Sequence, residues 1–437
     1  MNAFDLVYGL GVAVASPFWL IEPAARRKCL AAFSQRMGRV AVRQGTAPAV
    51  MIHAVSLGEI NAIRQLIQRL RLARPDLHFI VSTTTDTGFA RAAELYGADA
   101  DVTLVRYPLD FTSAVVRLLD AQRPDVVVLM ELEVWPNFLS ICHRRKIPVL
   151  VINGRLTTHS FSRYRMVRPM IAGMFRRLTR ICAQDRTYAE RFITLGADPS
   201  RVSVTGTMKF DTASMDPAIA GVDELAAALG LHPKDGPLWV CGSTGPGEEE
   251  IVLEAFRRLR EKFPALRLAI IPRKPERFGE VADLIASHGM SLIRRSRNEP
   301  PNKEAVILGD TMGELKKFFA LADVVFVGRT LLDLGPRQHG SDMIEPAALA
   351  KPVIVGPFTG NFAEPMACFI ASDAMTIVAD GEALAKAVAR LLCQPVMAAE
   401  MGSRGRQVVA RERGATDRHA ETILQELSHR VSGIMAS

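Results

Sequence analysis

The sequence predicts an α/β protein made of two tandem Rossmann-like domains. Three observations point there. Short β-rich runs alternate with amphipathic helical patterns, as in a parallel sheet with helices on both faces. The alternation lapses between about 212 and 236 and then restarts. The 437 residues also exceed what one ordinary core accommodates. The expected boundaries are 1–45 for an apolar and basic N-terminal segment, 46–211 for a first domain, 212–236 for a linker and 237–437 for a second domain. The last helix has the option of packing back on the first domain.

The elements follow in order. FDLVYGLGVAVASPFWLIEP, at the N-terminus, carries only Asp5 as a charge before Glu22. Its uncharged core, Leu6 to Ile21, is shorter than the roughly 20 residues that cross a bilayer, and it contains Gly9, Gly11 and Pro17. A signal peptide would need a positively charged start, which is missing. A short membrane anchor or in-plane helix is expected, with a buried helix as the alternative. The basic residues that follow keep the body on the cytoplasmic side. First-domain strands are expected at 49–55, 78–84, 101–107, 125–131, 149–154, 180–184 and 202–206. Second-domain strands are expected at 238–243, 267–273, 290–295, 305–310, 323–329 and 352–356. Neither first strand is followed by GxGxxG, which disfavours NAD or FAD, and no Walker A sequence exists. A ligand site is therefore expected at the carboxyl ends of the strands, in a cleft between the domains.

Composition is ordinary for a globular protein, 49% hydrophobic and 23% charged. The six cysteines are scattered and lack zinc-ligand spacing, as for buried thiols in a reducing compartment. The net charge of +8 is unevenly spread. No acidic residue lies between Glu133 and Asp185, while Arg144, Arg145, Lys146, Arg163, Arg165 and Arg168 all fall there. Such a run is either a solvated helix face or a surface for anionic lipid or a phosphorylated substrate. Nucleic acid is disfavoured, because interleaved aromatics and helix-turn-helix or zinc-finger patterns are absent.

The loops after the strands carry the candidate chemistry. Ser56-x-x-Glu59 spells a capping box, and a carboxylate at the mouth of an α/β sheet is equally where a catalytic base sits. A carboxylate folded onto Ser56 is expected not to face a substrate, so these are competing readings. Gly242-Ser243-Thr244-Gly245-Pro246-Gly247 leads into an acidic helix start, where glycines and the helix dipole suit a phosphate or simply form a capped turn. Pro272 and Arg273 follow another strand, and Arg273 presents a planar fork for phosphate or base. Thr311-x-x-Glu314 is a second capping box. Glu345 opens a helix where it could accept hydrogen bonds from a ribose diol. Asp99-Ala100-Asp101 spells DxD but lies at the wrong end of its strand, so it is assigned to a turn. His53 reads as a satisfied strand-end histidine or a substrate contact, and Trp135 as packing.

Motif order settles the reading. HAVSLGE (53–59), STTTDTG (82–88), RYPLD (106–110), MELEVWPN (130–137), INGRLTTHSFSRY (152–164), VTGTMKFD (204–211), GSTGPGEEE (242–250), IPRKPERF (271–278), GDTMGELKKFFALADVVFVG (309–328) and IEPAALAKPVIVGP (344–357) resemble the 3-deoxy-D-manno-octulosonic acid (Kdo) transferase family over nearly the whole chain. The resemblance implies a membrane-associated glycosyltransferase of the GT-B fold, at the cytoplasmic face of the inner membrane, acting on CMP-Kdo and a phosphorylated, acylated lipid A precursor. No cofactor or metal is implied. Glu59 matches the family's catalytic base, and Glu131 and Lys209 match positions of transition-state stabilisation. The CMP of the donor would be held by Pro272 and Arg273, by Met312, Gly313 and Glu314, and by the loop Asp342, Met343, Ile344 and Glu345, with the Gly242-Ser243 turn adding backbone donors. Two positions depart from the family. Asp342 stands where Asn is usual and Arg329 where Gly is usual; the extra negative charge calls for compensation by Arg329, Arg337 or His339. Glu59 is expected to point toward the gap between the domains, opposite Arg273 and Glu345. The rival readings are a UDP-sugar transferase or epimerase of the same fold, and a lipid-binding protein without activity.

Overall fold

The computed structural model describes residues 4–6, 8–10, 32–216, 218–335 and 338–435. The chain divides into two compact units, one comprising 1–212 with 413–437 and the other 213–412. In the first, β1 (Ala49–His53), β2 (His78–Thr83), β3 (Val102–Arg106), β4 (Val126–Met130), β5 (Val149–Gly154), β6 (Arg180–Ala183) and β7 (Val202–Val204) form a parallel sheet in the order β3-β2-β1-β4-β5-β6-β7. In the second, β8 (Leu238–Thr244), β9 (Arg267–Pro272), β10 (Leu292–Arg294), β11 (Val306–Leu308), β12 (Val324–Val327), β13 (Val353–Val355) and β14 (Met375–Ile377) pair as β10-β11-β9-β8-β12-β13-β14, again parallel. The winding direction reverses between β1 and β4 and between β8 and β12. Loops diverge at such a switch point and leave a crevice at the carboxyl ends of the strands.

Both faces of the central strands of each sheet are covered, which is why those strands read as apolar runs. Along β1, Val50 and Ile52 join one core with Ile60, Ile63 and Leu70, while Ala49 and Met51 join the other with Leu118 and Phe138. The helix Leu57–Ala73 buries Ile60, Ile63, Leu66, Ile67 and Leu70 at three- and four-residue spacing. The C-terminal helix Ala415–Met435 belongs to the first unit, where Ala415, Ala420, Ile423 and Leu427 are buried beside that helix and β4. Asp211 caps it, accepting the N–H groups of Gly414 (2.7 Å) and Thr416 (2.6 Å). Inside it, Nε2 of His419 accepts the N–H of Asn153 at 3.3 Å. Burial lowers the His419 pKa to about 3, so the ring stays neutral.

Three differences from the sequence expectation have local causes. β14 escaped notice because its three residues lie at a sheet edge and are not fully buried. Residues 213–236 of the expected linker cluster with the second unit, where the helix Val222–Leu229 buries Leu225 and Leu229. At the N-terminus, most of the apolar segment 4–21 lies outside the described residues. Its single charge, Asp5, accepts hydrogen bonds from the N–H and the hydroxyl of Thr112, both at 2.8 Å, at the start of the helix Thr112–Gln122. Among the described residues no helix is long and apolar enough to cross a membrane.

Candidate active site

The first unit gathers carboxylates at its switch point. Ser56 has extended backbone and caps the helix Leu57–Ala73. Its oxygen accepts the Glu59 N–H (3.3 Å), its hydroxyl donates to Oε1 of Glu59 (2.8 Å), and the Val55 N–H donates to Oε2 (2.9 Å). The capping box is thus closed. A carboxylate has about four lone-pair sites, so sites remain on both oxygens. The closed box is the arrangement the helix-cap reading expects, and proton acceptance would use the remaining acceptor sites. Burial raises the Glu59 pKa against the hydrogen bonds from Val55 and Ser56, and the charge of Glu133 adds to the rise. Burial thus works against the ionised form that a helix start favours.

Glu131 leaves β4 at φ 55°, with its N–H on the Ile152 carbonyl at 3.0 Å. Asn153 on the adjacent β5 has φ 50°. Left-handed backbone disfavours residues with a β-carbon and concentrates at functional sites. Oδ1 of Asn153 accepts the Met208 N–H at 3.1 Å, tying β5 to the short helix Lys209–Thr212 that Lys209 opens. The sequence reading overlooked Glu133. Burial raises its pKa against a hydrogen bond from Trp135, and Glu131 raises it further. It couples electrostatically to both Glu59 and Glu131. The signal was present as Glu131-x-Glu133 in MELEVWPN. Trp135 is partly exposed, with Nε1 donating to Glu133 at 3.3 Å.

Two other candidates are structural. His53 is fully buried, bonded through Nδ1 to the Ser82 hydroxyl (2.8 Å) and stacked on Tyr107 at 3.8 Å. Burial pushes its pKa down to about 3. Asp99 and Asp101 both pair with Arg71 at 2.8 Å, beside the amino end of β3, as a turn assignment requires.

In the second unit the glycine-rich turn is already occupied by the protein's own carboxylate. Glu248 is fully buried and accepts the N–H groups of Gly245 (2.8 Å), Arg329 (2.6 Å), Thr330 (2.9 Å) and Leu331 (2.9 Å). It clamps the turn after β8 to the loop after β12. Neighbouring Glu249 is equally buried and forms a two-pronged pair with Arg277, at 2.6 and 3.0 Å. Gly242 has a packing reason, because a β-carbon there would lie 2.5 Å from the buried Phe319 ring. Ser243 is buried at φ 57°, and its carbonyl accepts the Ser341 hydroxyl at 3.3 Å.

The remaining donor candidates follow in sequence order. Pro272 ends β9 in the core and Arg273 is exposed, its N–H on the Thr244 carbonyl at 3.0 Å. Met312 is exposed, and Gly313, at φ 84°, has open space around it. Thr311 and Glu314 bond side chain to side chain, but the helix starts at Leu315, so Thr311 is no cap. Against burial, Thr311 and Arg295 (3.0 Å) hold the Glu314 pKa low. Asp342 accepts the Ile344 N–H at 2.8 Å. Met343 and Ile344 are fully buried, and the Ile344 N–H is taken by Asp342. Burial, then Asp342, raises the Glu345 pKa to about 7 against Lys316. His339 pairs with Asp333 at 2.7 Å, which removes it as compensation for Asp342. Arg337 lies outside the described residues.

Two parallel-sheet α/β units, each with its candidate groups at a switch point, define a GT-B-like fold. UDP-GlcNAc 2-epimerase from Neisseria meningitidis matches this fold with a TM-score of 0.57 over 86% of this chain and 100% of its own, at 16% identity. That likeness shows the fold alone. Sequence goes further. Residues 31–212 match the family described as 3-deoxy-D-manno-octulosonic-acid transferase (kdotransferase). The 3-deoxy-D-manno-octulosonic acid transferase of Haemophilus influenzae is 34% identical over 87% of this chain and 88% of its own, and that of Bordetella pertussis 33% identical over 89% and 90%. The chain belongs to the 3-deoxy-D-manno-octulosonic acid transferase family and is a glycosyltransferase.

Proposed function

We propose that the enzyme transfers Kdo from CMP-Kdo to a hydroxyl of a phosphorylated, acylated lipid A precursor (lipid IVA) in lipopolysaccharide biosynthesis, by a metal-independent single displacement that inverts the anomeric centre. The observation that carries the reading is Glu59: a carboxylate capped at the switch point of the first sheet, with a raised pKa and acceptor sites to spare. A base works best with its pKa drawn toward working pH. Glu59 takes the proton as the acceptor oxygen attacks the anomeric carbon. The electron pair of the breaking bond leaves with the phosphate of CMP, whose charge needs cations and backbone donors. Lys209 and Arg273 fill that role, with Glu131 stabilising the transition state. Pro272, Met312, Gly313, Glu314, the 342–345 loop and the Gly242-Ser243 turn hold the nucleotide.

The membrane side of the proposal rests on the first unit. Met166, Val167 and Met170 are exposed together with Arg163, Arg165 and Arg168 on successive helices. An apolar and basic surface of this kind suits acyl chains and anionic headgroups at the cytoplasmic face of the inner membrane. The N-terminal segment would add an anchor or an in-plane helix.

The test is incubation with CMP-Kdo and a tetraacylated lipid A precursor, followed by product masses. Mass gain by one or more Kdo units is expected. Turnover of UDP-sugars with none from CMP-Kdo would favour the UDP-sugar reading instead.

A further inference from the structure

We propose that Arg329 and Arg273 form a two-guanidinium anion clamp at the switch point of the second sheet, with Arg329 as an additional cation for the donor phosphate. The assignment deepens the CMP-donor reading and rests on it for the identity of the ligand.

The position comes first. Arg329 follows β12, and Arg273 follows β9, which flanks β8 on the opposite side. Between them runs the turn after β8. The Arg273 N–H bonds the Thr244 carbonyl at 3.0 Å, and a β-carbon on Gly245 would lie 3.0 Å from Cγ of Arg329. The two side chains thus leave from either side of Thr244-Gly245.

Backbone strain comes second. Arg329 sits at φ 59°, held by its N–H on Glu248 (2.6 Å) and its carbonyl on the Gly340 N–H (2.7 Å). Glycine would take this conformation freely. A charged residue kept there is strain stored for a purpose. Glu131, after the corresponding switch-point strand of the first sheet, is strained in the same way at φ 55°.

Charge comes third. Nε of Arg329 and the hydroxyl of Thr244 are buried and lack hydrogen-bond partners. Burial and then the charge of Arg273 depress the Arg329 pKa. Glu248, whose charge acts on Arg329, already accepts four backbone N–H groups. Two adjacent guanidinium groups repel each other, and an anion that accepts from both removes the repulsion. Phosphate fits the planar fork of arginine two-pronged.

Calorimetric titration with CMP and with uncharged cytidine, on wild type, Arg329→Gly and Arg329→Gln, tests the clamp. CMP affinity is expected to fall about tenfold or more in both variants, as for the loss of a charged hydrogen bond, with cytidine affinity unchanged. Arg329→Gly should melt no lower than wild type. Unchanged CMP affinity in both variants overturns the clamp. Melting curves with inorganic phosphate separate it from the CMP reading. Phosphate stabilisation that depends on Arg329, in a protein that ignores CMP, keeps the clamp and sinks the nucleotide. No response to either ligand sinks the clamp.

Discussion

The Ser56 hydroxyl donates to Oε1 of Glu59 across 2.8 Å while the Val55 N–H holds Oε2 at 2.9 Å. The same two contacts that terminate a helix also fix the orientation of a carboxylate at the mouth of a sheet. The capping box thus fixes the carboxylate proposed as the base, and the two uses separate by mutation.

Glutamine serves as well as glutamate in a capping box but cannot take a proton from an attacking hydroxyl. Glu59→Gln is expected to leave unfolding free energy nearly unchanged and to lower kcat by about 10²–10⁴, the usual worth of a general base. Glu59→Ala should lose the same activity and also about 1 kcal/mol of stability from the broken cap. Initial rates beside denaturant unfolding curves check both. A Gln variant with near-normal turnover would leave Glu59 as a cap only.

Glu345 holds its proton up to about pH 7 because of burial and then Asp342. The sign follows from the direction. Its folded pKa lies above the ordinary carboxylate value, so its contribution favours the fold at acid pH and is lost as pH rises through about 7. Ligand binding runs the other way, since the carboxylate accepts from both hydroxyls of a ribose diol with its two oxygens, while the protonated group turns one oxygen into a donor. Donor KM should climb as pH falls below about 7 in the wild type. Asp342→Asn should move that limb to lower pH. Donor KM measured across neutral pH decides it, and superimposable profiles would exclude the coupling.

Glu248 accepts four backbone N–H groups with two oxygens. The amide of Glu248→Gln has one acceptor oxygen and an NH₂ that faces donors. At least two N–H groups lose their partner at about 1–3 kcal/mol each. A loss of about 3 kcal/mol is expected in calorimetric unfolding, with proteolytic sensitivity appearing near 329–331. A neutral outcome would mean the clamp relaxes around the amide.

Gly242→Ala would place a β-carbon 2.5 Å from the ring of Phe319. Overpacking a filled core costs about 1–3 kcal/mol. The variant should unfold at lower denaturant concentration, and Phe319→Leu should restore part of the loss, as a double-mutant cycle reads directly.

Much of this was legible before any coordinates. Every strand expected from an apolar run forms, because parallel strands covered on both faces cannot alternate with polar residues. β14 was not legible, since three half-covered edge residues make no such run. The loops were legible as places and illegible as partners. Glu248 and Glu249 looked like two of three acids at a helix start, yet both are buried, Glu248 on four backbone N–H groups and Glu249 on Arg277.

The sequence by itself determined two parallel-sheet units and a family, through periodicity and the order of motifs. Periodicity is a local property of the chain, and it survives without knowledge of the fold. The tertiary structure alone decided what each charged side chain meets. Glu248 finds its donors some eighty residues away at 329–331, and Arg71 takes both acids of the DxD. Arg273 and Arg329 both come to the turn at Thr244-Gly245. Electrostatic and hydrogen-bond energies depend on distances of a few ångströms between residues remote in sequence, and only folding sets those distances.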